Sequence, residues 1–129
     1  MVRIIRLLGA ALGAVVGLTF VLADANLAGG LDLADPGLDL PLALALTSSL
    51  RDKPVAPDLI AIGEVGLLGE LRPVPGLERR LREAARLGFK KAIVPKSRRG
   101  DVPEVKGMEV VAVSNLREAI VHALASTQS

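Results

Sequence analysis

A run of cations is the clearest chemical surface in this chain. Arg79, Arg82 and Arg86 recur at spacings of three and four, which places all three on one flank of a helix. Arg80 stands among them and is expected on the same exposed face, and Lys90, Lys91, Lys96, Arg98 and Arg99 follow. Cations with few amides or aromatic rings among them suit a nucleic-acid backbone or an acidic partner surface, not the reading of base edges. A solvated helix with ordinary ion pairs explains part of the pattern, because Glu78 and Glu83 lie at helical spacing from Arg82 and Arg79. Arg82 and Arg86 repel at that same spacing, so helix stability does not account for all of it.

Other reactive groups are sparse. There is no cysteine, which excludes disulfides, thiolate zinc sites and cysteine nucleophiles. The single histidine, His122, cannot build a His-rich metal site and argues against a Ser-His-Asp triad. Six serines remain: Ser48, Ser49, Ser97, Ser114, Ser126 and Ser129. None sits at a glycine-rich elbow or has a lysine at motif spacing. Ser48 and Ser49 fall late in an apolar stretch, where a hydroxyl can bond the carbonyl four residues back. The glycines between Gly63 and Gly69 lack both the GxGxxG spacing and any Gly-Lys-Ser/Thr, so no ATP site is expected. Neither a metal nor a cofactor is called for.

The elements that position the cations are legible. Leu59–Ile62 reads as an apolar strand that turns through Gly66 and Gly69 and returns as Glu70-Leu71-Arg72. Pro73 and Pro75 stop it, since proline cannot donate to a ladder. Leu77, Leu81, Ala84 and Ala85 then mark the buried stripe of a helix that ends at Gly88. Lys91–Val94 is a second strand, closed by Pro95. A polar loop leads to a third strand, Met108–Val113, and Ser114 or Asn115 caps a last helix with Glu118 in the manner of a capping box. Leu116, Ile120, Ala123 and Leu124 form its buried stripe, and His122 falls on the polar side. The order is that of an α/β domain, and 129 residues make one domain.

Upstream, Asn26 to Pro36 is turn-rich, with Gly29-Gly30 leading into a short strand at Leu31 and Leu33. A helix over Leu40 to Leu50 follows. Asp35 and Asp39 are both candidate caps, and Pro41 favours Asp39, because it then falls in the first turn. This helix is apolar nearly all round, as a central, buried helix would be. Residues 1–25 form a separate segment with two readings. Arg3 and Arg6 precede the uncharged run Leu7 to Ala23, a pattern shared by signal peptides and short membrane spans. The alternative is a buried helix, Ile4 to Val16, followed by a strand, Leu18 to Leu22.

The run Gly63-Glu64-Val65 through Leu67, Gly69, Pro73-Val74 and Gly76-Leu77, continued by GFKKAIVP from Gly88 to Pro95, resembles the signature of the Lon proteolytic domain. With Gly29-Gly30-Leu31, Asp35-Pro36, Ser48-Ser49-Leu50, Asp52 and Pro54, the likeness is closer to the Lon-like C-terminal domain of RadA-type (Sms) bacterial recombination and repair proteins. It spans residues 26 to 125, making 26–129 the Lon-like domain, and favours packing of residues 1–25 on it. The resemblance implies the α/β fold of ribosomal protein S5 domain 2. It also places the family's nucleophilic serine at Gly37 and its lysine at Arg80. Glycine carries no nucleophile, and a guanidinium stays protonated and cannot act as a base. The expectation is therefore a pseudo-protease, a cytoplasmic scaffold that assembles with itself into a ring, hexameric in such proteins, and touches DNA through the cations above. A full RadA-type protein would add a cysteine zinc motif and an ATPase core, so a fragment or a stand-alone relative is expected. Two alternatives stay open: a membrane-anchored or exported Lon-like domain, and a serine-lysine peptidase using displaced residues.

Overall fold

Three short strands lie parallel: β1 (Leu59–Ala61), β4 (Lys91–Pro95) in the centre, and β5 (Glu109–Val113). The computed structural model describes residues 35–125. The readings made for residues 1–25, for Gly29-Gly30 and for the strand at Leu31 and Leu33 lie outside them. In register, Ile60 stands beside Ala92 and Ala92 beside Val110. Side chains alternate across the sheet, so each face gathers its own core.

Helix α1 (Asp39–Arg51) and helix α3 (Leu116–Ala125) cover one face, where Leu40, Leu44, Ala119, Ala123 and Leu124 pack with Leu59, Ala61, Ile93 and Val113. Helix α2 (Leu77–Arg86) covers the other, where Leu81 and Ala84 meet Ile60, Ile62, Ala92 and Val94. The apolar stripe predicted for α2 is the face it buries. Gly88 ends this helix at φ +101°, a conformation that a Cβ would strain. Asn115 and Glu118 start α3 together: Asn115 Oδ1 accepts the Glu118 N–H at 2.9 Å, and Glu118 Oε2 accepts the Ser114 N–H at 2.9 Å. Both candidate cap positions are thus used.

The chain from β4 to β5 crosses over without a helix. Val105 and Met108, joined by a bridge, pack against the core on the α2 face and occupy the place a crossover helix would take. Three expectations need correcting. The turn after β1 does not prolong that strand: β2 (Glu64–Val65) and β3 (Leu71–Arg72) form their own antiparallel ladder. Gly63 diverts the chain, donating to Gly37 O at 3.2 Å and accepting from Leu40 N at 3.0 Å. Asp39 is the first residue of α1, not its cap, and its Oδ2 instead accepts the Val65 N–H at 3.1 Å. Nor is α1 buried all round. Leu42, Leu46 and Leu50 are 47%, 66% and 86% exposed, because the alternating leucines wind onto two opposite faces and the sheet takes only one. Among the described residues no helix is long and apolar enough to cross a membrane.

Candidate functional site

Gly37 and Arg80 meet at the start of the described residues. Asp35 and Pro36 create this geometry. Pro36 opens a single 3-10 turn, Pro36–Leu38, and Asp35 Oδ1 accepts the Gly37 N–H at 2.7 Å. From the other side comes Arg80, expected on the exposed face of α2 but leaving its buried flank beside Leu81, drawn inward by Asp35. Its Nη2 donates to Asp35 Oδ2 at 2.8 Å and its Nη1 to Asp35 Oδ1 at 3.3 Å. The two side chains are only 10% and 8% exposed, so this is a buried, two-pronged ion pair. A Cβ built on Gly37 would lie 2.6 Å from Arg80 Nη1 and 3.0 Å from Asp35 Oδ1. The guanidinium fills the room where a side chain at 37 would stand. Chemically the cluster can hold charge and fix the backbone. It offers neither a nucleophile nor a proton acceptor with a free lone pair facing one.

Two serines, Ser48 and Ser97, are spent on structure. Ser48 is fully buried, and its hydroxyl donates to Lys53 O, closing the end of α1 while Asp52 takes the left-handed conformation. The bond to the carbonyl four residues back, expected of Ser48 or Ser49, is made by Thr47 to Ala43 O at 2.8 Å. Ser97 Oγ donates to Asp101 O at 3.2 Å. His122 is exposed on α3, as its place in the sequence implied.

The cations spread along α2 and past both of its ends. Arg79, Arg82 and Arg86 are exposed along the outer flank of α2, and Lys90 continues the line past its end. Arg86 is held by Glu83 at 2.5 Å, whereas Arg79 and Arg82 have no ion-pair partner among the described residues. Arg98 and Arg99 are exposed too, but they lie past the far end of β4, beside Gly76 and Leu77 at the start of α2. Lys91 and Pro95 bound that strand, roughly 13 Å of extended chain. The expected patch is therefore a ridge along α2 with its two groups of flanking cations at opposite ends. Lys91, half-buried at the head of β4, belongs to the Lys90 end.

Sequence reasoning read the turn between β2 and β3 but passed over its tip as a surface. Its tip, Leu67-Leu68, is fully exposed, 103% and 95%, and it is braced from below. Glu70 Oε2 accepts the Leu68 N–H at 3.0 Å and Oε1 accepts Arg72 Nη2 at 2.9 Å. Its own backbone N–H, then the Arg72 side chain, hold the Glu70 carboxyl below its ordinary value of 4.5. A lowered folded-state value means that the brace contributes above the ordinary carboxylate range and is lost as pH falls through the depressed one. Following Glu70 and the Leu68 amide by NMR should give a midpoint below 4.5, and one at or above 4.5 would contradict the brace. The sequence signal was present: a glutamate one residue after Gly69, with an arginine two residues on.

A family model described as subunit ChlI of Mg-chelatase matches residues 23–98. DNA repair protein RadA of Synechocystis sp. is 47% identical over 104 residues, which cover 81% of this chain and 20% of that protein. RadA of Bacillus subtilis is 44% identical over 118 residues, covering 90% of this chain and 26% of its own. RadA of Escherichia coli is 45% identical over 97 residues, 74% of this chain and 20% of that protein. The chain thus spans between a fifth and about a quarter of the length of these curated relatives.

Proposed function

The chain belongs to the family described as subunit ChlI of Mg-chelatase, and we propose that it serves as a Lon-like domain of RadA type without peptidase chemistry, a scaffold for DNA repair. The repair reading is preferred to the chelatase of the family's title because the relatives at 44–47% identity are named RadA. The α/β architecture with a parallel sheet agrees with an S5 domain 2-like fold. One observation carries the rest: Arg80 lies against Gly37, with its charge locked onto Asp35. Were a serine and a lysine at these positions, they would stand within reach of each other. With glycine and arginine, the same meeting point becomes a structural clamp, and the domain is left to bind and assemble. In this reading the domain works in the cytoplasm, associates with copies of itself and holds DNA along the α2 ridge.

Two measurements test it. Incubation with unfolded casein and with a serine-directed fluorophosphonate should give no cleavage and no labelling, and specific labelling of any serine would overturn the pseudo-protease assignment. Titrating salt against binding of duplex and single-stranded DNA should give a negative log–log slope that shrinks in Arg82→Glu/Arg86→Glu. Binding of the isolated domain should be weak, on the order of 10⁻⁴ to 10⁻⁶ M, as sequence-independent phosphate contact usually is. A ring would strengthen it through many such contacts. If the variant binds DNA as well as the wild type but no longer self-associates, the ridge is a subunit contact instead.

A further inference from the structure

The ridge of cations on α2 ends beside an apolar niche. Pro57, Asp58, Leu87, Gly88 and Phe89 line a cavity of about 250 Å³ open to solvent, between the turn before β1 and the end of α2. Leu87 caps the helix and is 41% exposed, and Phe89 packs partly on the core beneath. Backbone bonds fix the two walls to each other: Lys90 N and Lys91 N donate to Asp58 O at 2.9 and 3.3 Å, and Phe89 N donates to Ala84 O at 3.1 Å. The niche is therefore preformed. Arg86 and Lys90 bracket Leu87, Gly88 and Phe89 in sequence, and Arg79 and Arg82 extend the line of charge away from it.

We propose that this niche takes an unstacked base of single-stranded DNA whose phosphates run along Arg79, Arg82, Arg86 and Lys90. The inference rests on the DNA reading of the ridge and names the form of DNA that it suits. Charge divides the surface into two jobs. A phosphate is attracted to the ridge, while the Asp58 carboxylate at the niche repels it. Apolar walls that include Phe89 suit the face of a base, which every nucleotide has, so contact of this kind strengthens binding without selecting a sequence. A duplex keeps its bases stacked inside and can use only the ridge.

The test compares three fluorescent ligands of equal length at one salt concentration: a mixed-sequence single strand, the same strand with abasic sites throughout, and the duplex. The intact single strand should bind the wild-type chain at least about fivefold more tightly than the abasic strand, the lower end of what one stacked base contributes. Phe89→Leu, which keeps an apolar side chain on the core, and Leu87→Ser, at an exposed position, should each narrow that gap and leave the salt slope unchanged. Arg82→Glu/Arg86→Glu should do the reverse. Equal binding of intact and abasic strands, or a gap that survives both niche variants, overturns the niche and leaves the ridge standing. No binding of any of the three overturns the ridge, and the niche with it.

Discussion

Arg80→Ala should be the most damaging single substitution on the α2 face. Removing the guanidinium leaves the Asp35 carboxylate buried without its counter-ion, a change that typically costs about 3–5 kcal/mol. Domains of this size hold only about 5–15 kcal/mol in total, so the variant should lie near the edge of folding. The damage should be concentrated in the leftover charge. Arg80→Met combined with Asp35→Asn should therefore be more stable than Arg80→Met alone, because no uncompensated ion remains. Denaturant unfolding monitored by circular dichroism reads both differences. A loss below about 1 kcal/mol for Arg80→Ala would place the pair in the class of exposed salt bridges, contrary to its burial.

The second large effect is expected at Gly37. A glycine with ordinary helical geometry usually gains about 0.4–1 kcal/mol when replaced by alanine, through the unfolded state. Here the sign should reverse. The new Cβ would fall 2.6 Å from Arg80 Nη1, so either the guanidinium or the 3-10 turn must move. Forcing a methyl into a tight site costs typically about 1–3 kcal/mol. Gly37→Ala should be destabilising in the wild-type background and close to neutral once Arg80 is alanine. The double-mutant cycle isolates this contact, since the two residues touch. Additive effects would show that Arg80 is not what excludes a side chain at 37.

The regular elements were readable because their signals are local. The stripe of Leu77, Leu81 and Ala84, the stop at Gly88 and the Asn115/Glu118 cap each lie within a few residues, and each appears where expected. Reading failed where a residue's role depends on a distant partner. Asp39 looks like a cap from its neighbours, but its carboxylate is used by Val65, 26 residues away. Asp35 is paired to Arg80 across 45 residues, and no periodicity marks such a pair. The leucines of α1 misled for a different reason. Composition says that the helix is apolar, but only topology says which side meets the sheet, so Leu44 is buried while Leu46 is exposed. The cations show the same limit. Spacing put Arg79, Arg82 and Arg86 on one flank correctly, yet sequence nearness could not reveal that β4 carries Arg98 and Arg99 to the opposite end.

The contact between Gly37 and the Arg80 guanidinium also constrains how this sequence can change over generations. A serine arriving at 37 while Arg80 is present meets the clash, and a lysine arriving at 80 trades a two-pronged grip on Asp35 for a single point of contact. Each single change therefore lowers stability on its own. Only a joint change at both sites, with Asp35 released as well, avoids that loss. A lineage that has installed this clamp is held by it, because the packing of the fold opposes either change made alone.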